Sequence, residues 1–277
     1  MARLVAAIGV AAVAFSQPVS IQYGTVPRTV IEQRLRAVED TNLKREQMLR
    51  ELFEKDGCGG RLQEQDVKHS QAPNLICTLP GQSDSTIIVG GHFDFVNAGR
   101  GVIDNWSGSS LLPSFFLSLK TVPRRHTFRF IAFTDEEKGL VGSRFYTRSM
   151  TKAEIANTSA MVNLDSVGTN PTKLELDRGD RRLANALASV AQTFKLPLSV
   201  VNVHSVGFSD SDSFQDRKIP TINIHSITNE TFPLLHTQRD MMDAIKFNDY
   251  YDTYRLVTAY LAYLDQILDS SNAPSEK

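Results

Sequence analysis

From Thr86 to Leu268 the sequence alternates short runs rich in β-branched and aromatic residues with amphipathic stretches at helical spacing, and this constrains the fold more than any other feature. The spacing predicts strands over Thr86–Phe95, His126–Phe133, Ala160–Val167, Leu198–Val203 and Thr221–His225. Between and after them it predicts helices over Gly108–Leu119, Gly142–Met150, Arg181–Phe194 and Asn248–Leu268. Upstream, Val30, Leu35, Val38, Leu43, Met48, Leu49 and Leu52 recur among charged residues, so Pro27–Phe53 reads as one long amphipathic helix ended by Gly57, Gly59 and Gly60. Asn74–Leu79 reads as a strand leading to a turn at Pro80-Gly81. The expected fold class is α/β: three layers, α/β/α, around a central, mostly parallel mixed β-sheet whose ligands sit beyond the carboxyl ends of its strands.

The first residues differ from the rest. Arg3 is followed by an apolar run from Leu4 to Phe15 and then by Ser16-Gln17-Pro18, the layout of a signal peptide over 1–16. A run of about a dozen residues is too short to span a bilayer as a helix, so no stable membrane insertion is expected. Export and a single catalytic domain over 17–277 follow as expectations; a buried N-terminal helix is the competing reading. Thirty basic residues against thirty-one acidic ones, with no Lys/Arg block, argue against a nucleic-acid partner. Cys58 and Cys77 form an even count, which in an exported chain suggests one disulfide; two buried free thiols are the alternative.

Several strands close on residues suited to chemistry. Gly90-Gly91-His92-Phe93-Asp94 ends a strand with His92 and Asp94 on one face, so the carboxylate can fix the tautomer of a metal-ligating imidazole. Alone, such a pair is also an ordinary hydrogen-bonded one. Asp104 lies in the loop Gly101–Gly108 before an apolar helix, as a delivered ligand or as a helix cap, a role open equally to Asn105 or Ser107. The apolar run Phe130–Phe133 leads into Asp135-Glu136-Glu137, a crowding of like charge that either faces water or holds a cation. Asp165 closes another strand, where it could be a turn-former, and His236 follows a long loop. Together these supply two histidines, three carboxylates and a spare carboxylate, an inventory suited to two adjacent zinc ions.

From about residue 70 to the last helix the chain resembles the co-catalytic zinc aminopeptidases, a family that includes secreted bacterial leucyl aminopeptidases and whose fold, the zinc-peptidase (phosphorylase/hydrolase-like) fold, also hosts glutaminyl cyclases. GGHFDF, GVIDNWSG, TDEEKGLVGS, NLDSVG and LLHTQRD carry the likeness. It implies His92, Asp104, Glu137, Asp165 and His236 as metal ligands, Asp104 bridging. It further implies Glu136 and Asp94 as catalytic residues, Glu136 as general base and Asp94 behind His92. Two zinc ions per chain, peptide substrates and hydrolysis of N-terminal residues by a zinc-bound water follow from the same likeness; a monomer is expected. Ser209-Asp210-Ser211-Asp212-Ser213-Phe214 resembles a family segment near the substrate pocket, which implies Asp210 and Phe214 as substrate-binding.

Two features depart from the pattern. Val102-Ile103 stands where a small residue commonly precedes the bridging aspartate, and Phe232-Pro233 ahead of His236 echoes the cyclases. A glutaminyl-peptide cyclase holding one zinc on Asp104, Glu137 and His236 is therefore the alternative enzyme. A non-catalytic binding domain is the third reading, and the intact Glu136 argues against it.

Overall fold

The computed structural model describes residues 19–175, 179–201 and 207–269. The expected signal peptide over 1–16 lies outside the described residues, as does the expected strand beyond Val201. One sheet holds eight strands: β1 (Leu62–Gln65), β2 (Asn74–Leu79), β3 (Thr86–His92), β4 (Thr127–Phe133), β5 (Thr158–Leu164), β6 (Thr172–Glu175), β7 (Leu198–Val201) and β8 (Thr221–His225), in the order β1-β2-β4-β3-β5-β8-β6-β7. The four central strands β4, β3, β5 and β8 run parallel. Antiparallel β1 and β2 extend one edge, and β6, antiparallel to β8, carries β7 at the other. The sheet is thus mixed around a parallel centre.

Alternation along the strands sorts side chains to two faces. Ile87 and Val89 of β3, Phe128 and Phe130 of β4, and Ala160 and Val162 of β5 join the larger core, beneath the helices Arg28–Arg36, Asn42–Lys55, Leu112–Leu119, Arg181–Phe194 and Phe247–Ile267. Ile88, Ile131, Phe133 and Met161 face the other way, packing with Tyr146, Met150 and Phe214 from the helices Val141–Ser149 and Asp210–Gln215 and the residue that follows the first of them. β3 and β5 are buried at every position, as central parallel strands between two helical layers must be.

The helix expected over Pro27–Phe53 is two helices, Arg28–Arg36 and Asn42–Lys55. Thr41 turns extended (φ −138°, ψ 152°), and its hydroxyl accepts from the Lys44 N–H at 3.3 Å, an N-cap that starts a new helix where apolar periodicity runs on. The helix Lys152–Ala156 opens with a capping box between Thr151 and Glu154 that the sequence reading passed over. Cys58 and Cys77 are joined by a disulfide with Cα atoms 6.1 Å apart, tying β2 to the turn after the second helix.

Toward the β7 edge one face of the sheet lacks an apolar cover. Leu174, Ile222 and Ile224 point into the larger core, while Lys173, Glu175, Asn223 and His225 alternate onto the opposite face and floor a cleft of about 1090 Å³. This cleft opens at the carboxyl ends of the parallel strands.

Candidate metal centre

β3 ends at His92, β4 runs through Thr134 into Asp135-Glu136-Glu137, and β5 is followed by Asp165. Because these strands are parallel neighbours, all three groups arrive at the same edge. His92 is buried, and its Nε2 lies 3.2 Å from Asp104 Oδ1, 3.7 Å from Asp165 Oδ1 and 4.0 Å from Glu136 Oε2. From the cleft lip His236 Nε2 reaches Asp104 Oδ2 and Glu137 Oε2, each at 3.0 Å. Asp104 therefore lies between the two histidines, one oxygen toward each. Ligand atoms of His92, Asp104 and Glu137 lie within 4.8 Å of one another, as do those of His92, Glu136 and Asp165.

The backbone around these groups is bent to deliver them. Asp135, Ser166 and His236 have φ of 51°, 60° and 57°, left-handed values that non-glycine residues adopt at a cost and that cluster at functional sites. Asp94 holds two parts of the cluster at once. Its Oδ1 lies 3.4 Å from His92 Nδ1, and its carboxylate accepts from the backbone N–H of Glu136 at 2.9 Å and of Glu137 at 3.1 Å.

The loop of Asp104 is braced by three residues to which the sequence reading gave no part in the site. Asn105, joined to Asp104 by a cis peptide, accepts from Gly108 N–H and Ser166 N–H at 3.0 Å each and donates from Nδ2 to Leu164 O at 2.8 Å. The capping bond thus falls to Asn105 and leaves Asp104 free for the cluster. A Cβ on Gly108 would lie 2.5 Å from both Asn105 Oδ1 and Leu164 O, so this close approach requires glycine. Asp240 accepts from Ile103 N–H at 2.6 Å and Asp104 N–H at 3.2 Å; its position four residues after His236 is the one signal that could have found it. Arg45, fully buried, donates to the carbonyls of Glu39, Phe93, Arg100 and Gly101 and lies 3.9 Å from the centre of the Phe95 ring. Burial lowers its pKa to about 10.

Asp210 and Phe214, expected to touch substrate, are buried and do not line the cleft. Phe214 is fully buried, 6.0 Å from Phe133 and 5.9 Å from Tyr146 between ring centres. The helix Asp210–Gln215 presents it to the smaller core. Asp210 is likewise buried, and burial raises its pKa to about 7, with Asp165 and Asp94 adding to the rise against the pull of His92. Of the aromatic residues near the site, Phe93 and Trp106 are also core, whereas Phe208 (71% exposed) and Phe232 (47%) line the cleft.

The electrostatics of the cluster favour a cation. Burial raises the Glu136 carboxyl to about 9, opposed by His92 and reinforced by Asp210, Asp165 and Asp104. Hydrogen bonds to Asp104 and Glu137 raise His236 to about 10. Burial disfavours charge on His92, but Glu136, Asp104, Asp165 and Asp94 outweigh it and raise its pKa well above the usual value. The carboxylates thus draw protons onto both rings, and a divalent ion would answer the same deficit of positive charge. Glu137 Oε1 is buried with no hydrogen-bond partner among the described residues, an oxygen left over for a metal. Nitrogen and carboxylate donors of this kind fit zinc.

A three-layer α/β chain with a histidine-carboxylate cluster at its strand ends defines a class, the metal-dependent hydrolase scaffold. The chain belongs to peptidase family M28, whose model matches residues 74–261. It is 30% identical over 182 residues to aminopeptidase YwaD of Bacillus subtilis, covering 62% of this chain and 40% of that one. It is 26% identical over 238 residues to a probable leucine aminopeptidase of Arthroderma otae, covering 79% and 64%. The chain thus spans about two fifths to two thirds of the length of these relatives. Among solved structures, the LapA aminopeptidase of Legionella pneumophila superposes with a TM-score of 0.77 at 24% identity over 88% of this chain and 73% of that one. BSAP, a zinc aminopeptidase from Bacillus subtilis, gives 0.63 at 26% identity over 74% and 52%. A glutaminyl cyclase from an Acidobacteriales bacterium shares the fold, with a TM-score of 0.72 at 15% identity over 91% and 99%.

Proposed function

We propose that this chain is a zinc-dependent exopeptidase that removes N-terminal residues from peptides. The observation that carries the reading is Asp104 held between His92 and His236, with one oxygen 3.2 Å from the first and the other 3.0 Å from the second. A carboxylate so placed suits two ions, one also held by His92 and Asp165 and the other by Glu137 and His236. When bound, zinc supplies Lewis acidity toward the scissile carbonyl and lowers the pKa of water. Glu136 is the carboxylate this assignment leaves over. It takes the proton of the attacking water and passes it to the leaving amine. Asp94 orients His92 through Nδ1 and fixes the Glu136-Glu137 backbone, so base and ligand keep their spacing. Likeness to named aminopeptidases supports action at a free N-terminus.

The turn Phe232–Leu234 ahead of His236, together with the cyclase fold match, favours a second reading, a glutaminyl-peptide cyclase with one zinc. Metal content and product separate the two: two ions and free amino acids, or one ion and pyroglutamate. The Cys58–Cys77 disulfide supports export, since such bonds persist in oxidising compartments. The test of the leading reading is Glu136→Gln. Its turnover of a leucyl peptide should fall by about 10²- to 10⁴-fold with zinc content unaltered. Near wild-type turnover with the metal in place would remove Glu136 from the role of base.

A further inference from the structure

The cleft floor is a sheet face that carries polar groups where a buried sheet carries apolar ones. Asp165 follows β5 and its N–H donates to Ile224 O, which places it beside His225 on β8, and His225 in turn stands opposite Lys173 on β6. These three residues form a row leading from the metal cluster across the floor, and all line the cleft. Asn163 and Asn223 form a second row, bonded side chain to side chain at 2.9 Å. Nothing in sheet architecture calls for a lysine there, half-buried opposite His225.

The Lys173 side chain makes no hydrogen bond and no ion pair within 4 Å among the described residues, while its backbone pairs with β7 and β8. Arg144, the other cation lining the cleft, donates to Gly139 O at 3.1 Å, and Lys246 near the β6 end donates to Asn170 at 2.9 Å. Glu230 and Asp249 lie close enough to feel the Lys173 charge, yet neither forms an ion pair with it, and Glu175 has a partner elsewhere. His225 offers no competing charge, since its Nδ1 accepts from the Ile227 N–H and so carries no proton. Among the described residues this half-buried ammonium has no counter-ion within 4 Å, and facing a cleft it can receive an anion.

We propose that Lys173 receives a carboxylate of the substrate; this rests on the exopeptidase reading and adds a substrate class to it. Two strand spacings put the Lys173 Cα about 10 Å from that of Asp165. The four-carbon stem can span up to about 6 Å of this when it leans toward the metal cluster. Peptides extend about 3.5 Å per residue, so the carboxylate lies within one or two residues of the scissile bond. That is the free C-terminus of a di- or tripeptide, or an acidic side chain near the N-terminus. Both present the same group to the same ammonium.

The zinc-loaded enzyme, Lys173→Met and Lys173→Arg are compared on two peptide pairs, Leu-Leu-Leu against its C-terminal amide and Glu-Leu-amide against Gln-Leu-amide. The wild type should favour the charged member of at least one pair by about tenfold in kcat/KM, expressed in KM, as expected for a hydrogen bond to a charged group. Lys173→Met should bring that ratio close to one, and Lys173→Arg should keep most of it. Collapse in the first pair assigns the C-terminal carboxylate, and collapse in the second assigns the side chain. A ratio in Lys173→Met equal to the wild-type ratio in both pairs overturns the inference and leaves the exopeptidase reading standing. Failure of the wild type to cleave any of the four peptides overturns both.

Discussion

The carboxylate of Asp265, near the end of the helix Phe247–Ile267, accepts the backbone N–H of His126 at 2.8 Å and of Arg125 at 3.0 Å where β4 begins. His126 Nδ1 lies 3.3 Å away. Burial alone would raise this carboxyl, but the bonds from the His126 side chain and from both backbone N–H groups outweigh it and hold the pKa below the usual carboxylate range. A carboxyl depressed on folding contributes stability that is present above its unfolded pKa of about 4 and is lost as pH falls through the folded value. Asp265→Ala should therefore cost about 2 kcal/mol at pH 7, and the gap to wild type should narrow as pH drops below about 4. Urea unfolding at neutral and acid pH reads both quantities; a gap independent of pH would mean that the ionised carboxylate is not what holds β4 to the helix.

At the scale of elements, the helix Asn42–Lys55 acts on the site through Arg45, whose guanidinium gathers the carbonyls of Phe93, Arg100 and Gly101 from the chain between His92 and Asp104. Arg45→Met keeps the stem and leaves those carbonyls without a donor, so it should lower stability by about 3 kcal/mol, seen as a lower urea midpoint at unchanged slope. Nothing in the sequence marks this arginine, because its partners are backbone groups and any residue supplies a carbonyl. Asn105 escaped a role in the site for the same reason, though its capping bond to Gly108 was among the options its loop allowed. The strands β3, β4 and β5 were legible because each is an apolar run that stops on a polar residue, at His92, after Phe133 and at Asp165, and the chemistry sits at those stops, whereas the short β1 and β6 carry no apolar run and were not read. The break at Thr41 was not legible, since Leu35 and Leu43 stand eight residues apart, a helical apolar spacing that runs across it. Phe214 was misplaced because a family segment fixes neighbourhood, while the turn of a short helix decides which side chain meets solvent.

For the molecule as a whole, the cluster of Asp104, Glu136, Glu137 and Asp165 binds the β3–β4 edge, β5 and the His236 loop to one another only as far as its charge is compensated. Zinc held by the folded state alone would stabilise by about 4 kcal/mol at a thousandfold excess over Kd. Chelation should thus bring peptide hydrolysis to background and lower Tm by several degrees, both restored by added zinc. Calorimetry with and without chelator checks this, and a Tm indifferent to both would mean that the native cluster binds no metal. Among the described residues no helix is long and apolar enough to cross a membrane. The sheet itself has a divided character: toward β2 it is filled on both faces like a core, and toward β7 one face carries the polar groups that floor the cleft. Replacing Asn223 and Lys173 by valine or isoleucine would suit β-strands better than the residues present, and it would strip polar groups from the cleft floor. Gains in thermal tolerance, in the laboratory or over generations, should therefore collect under the helices Arg181–Phe194 and Phe247–Ile267, while the β6–β8 floor stays polar for as long as the proposed cleft function is under selection.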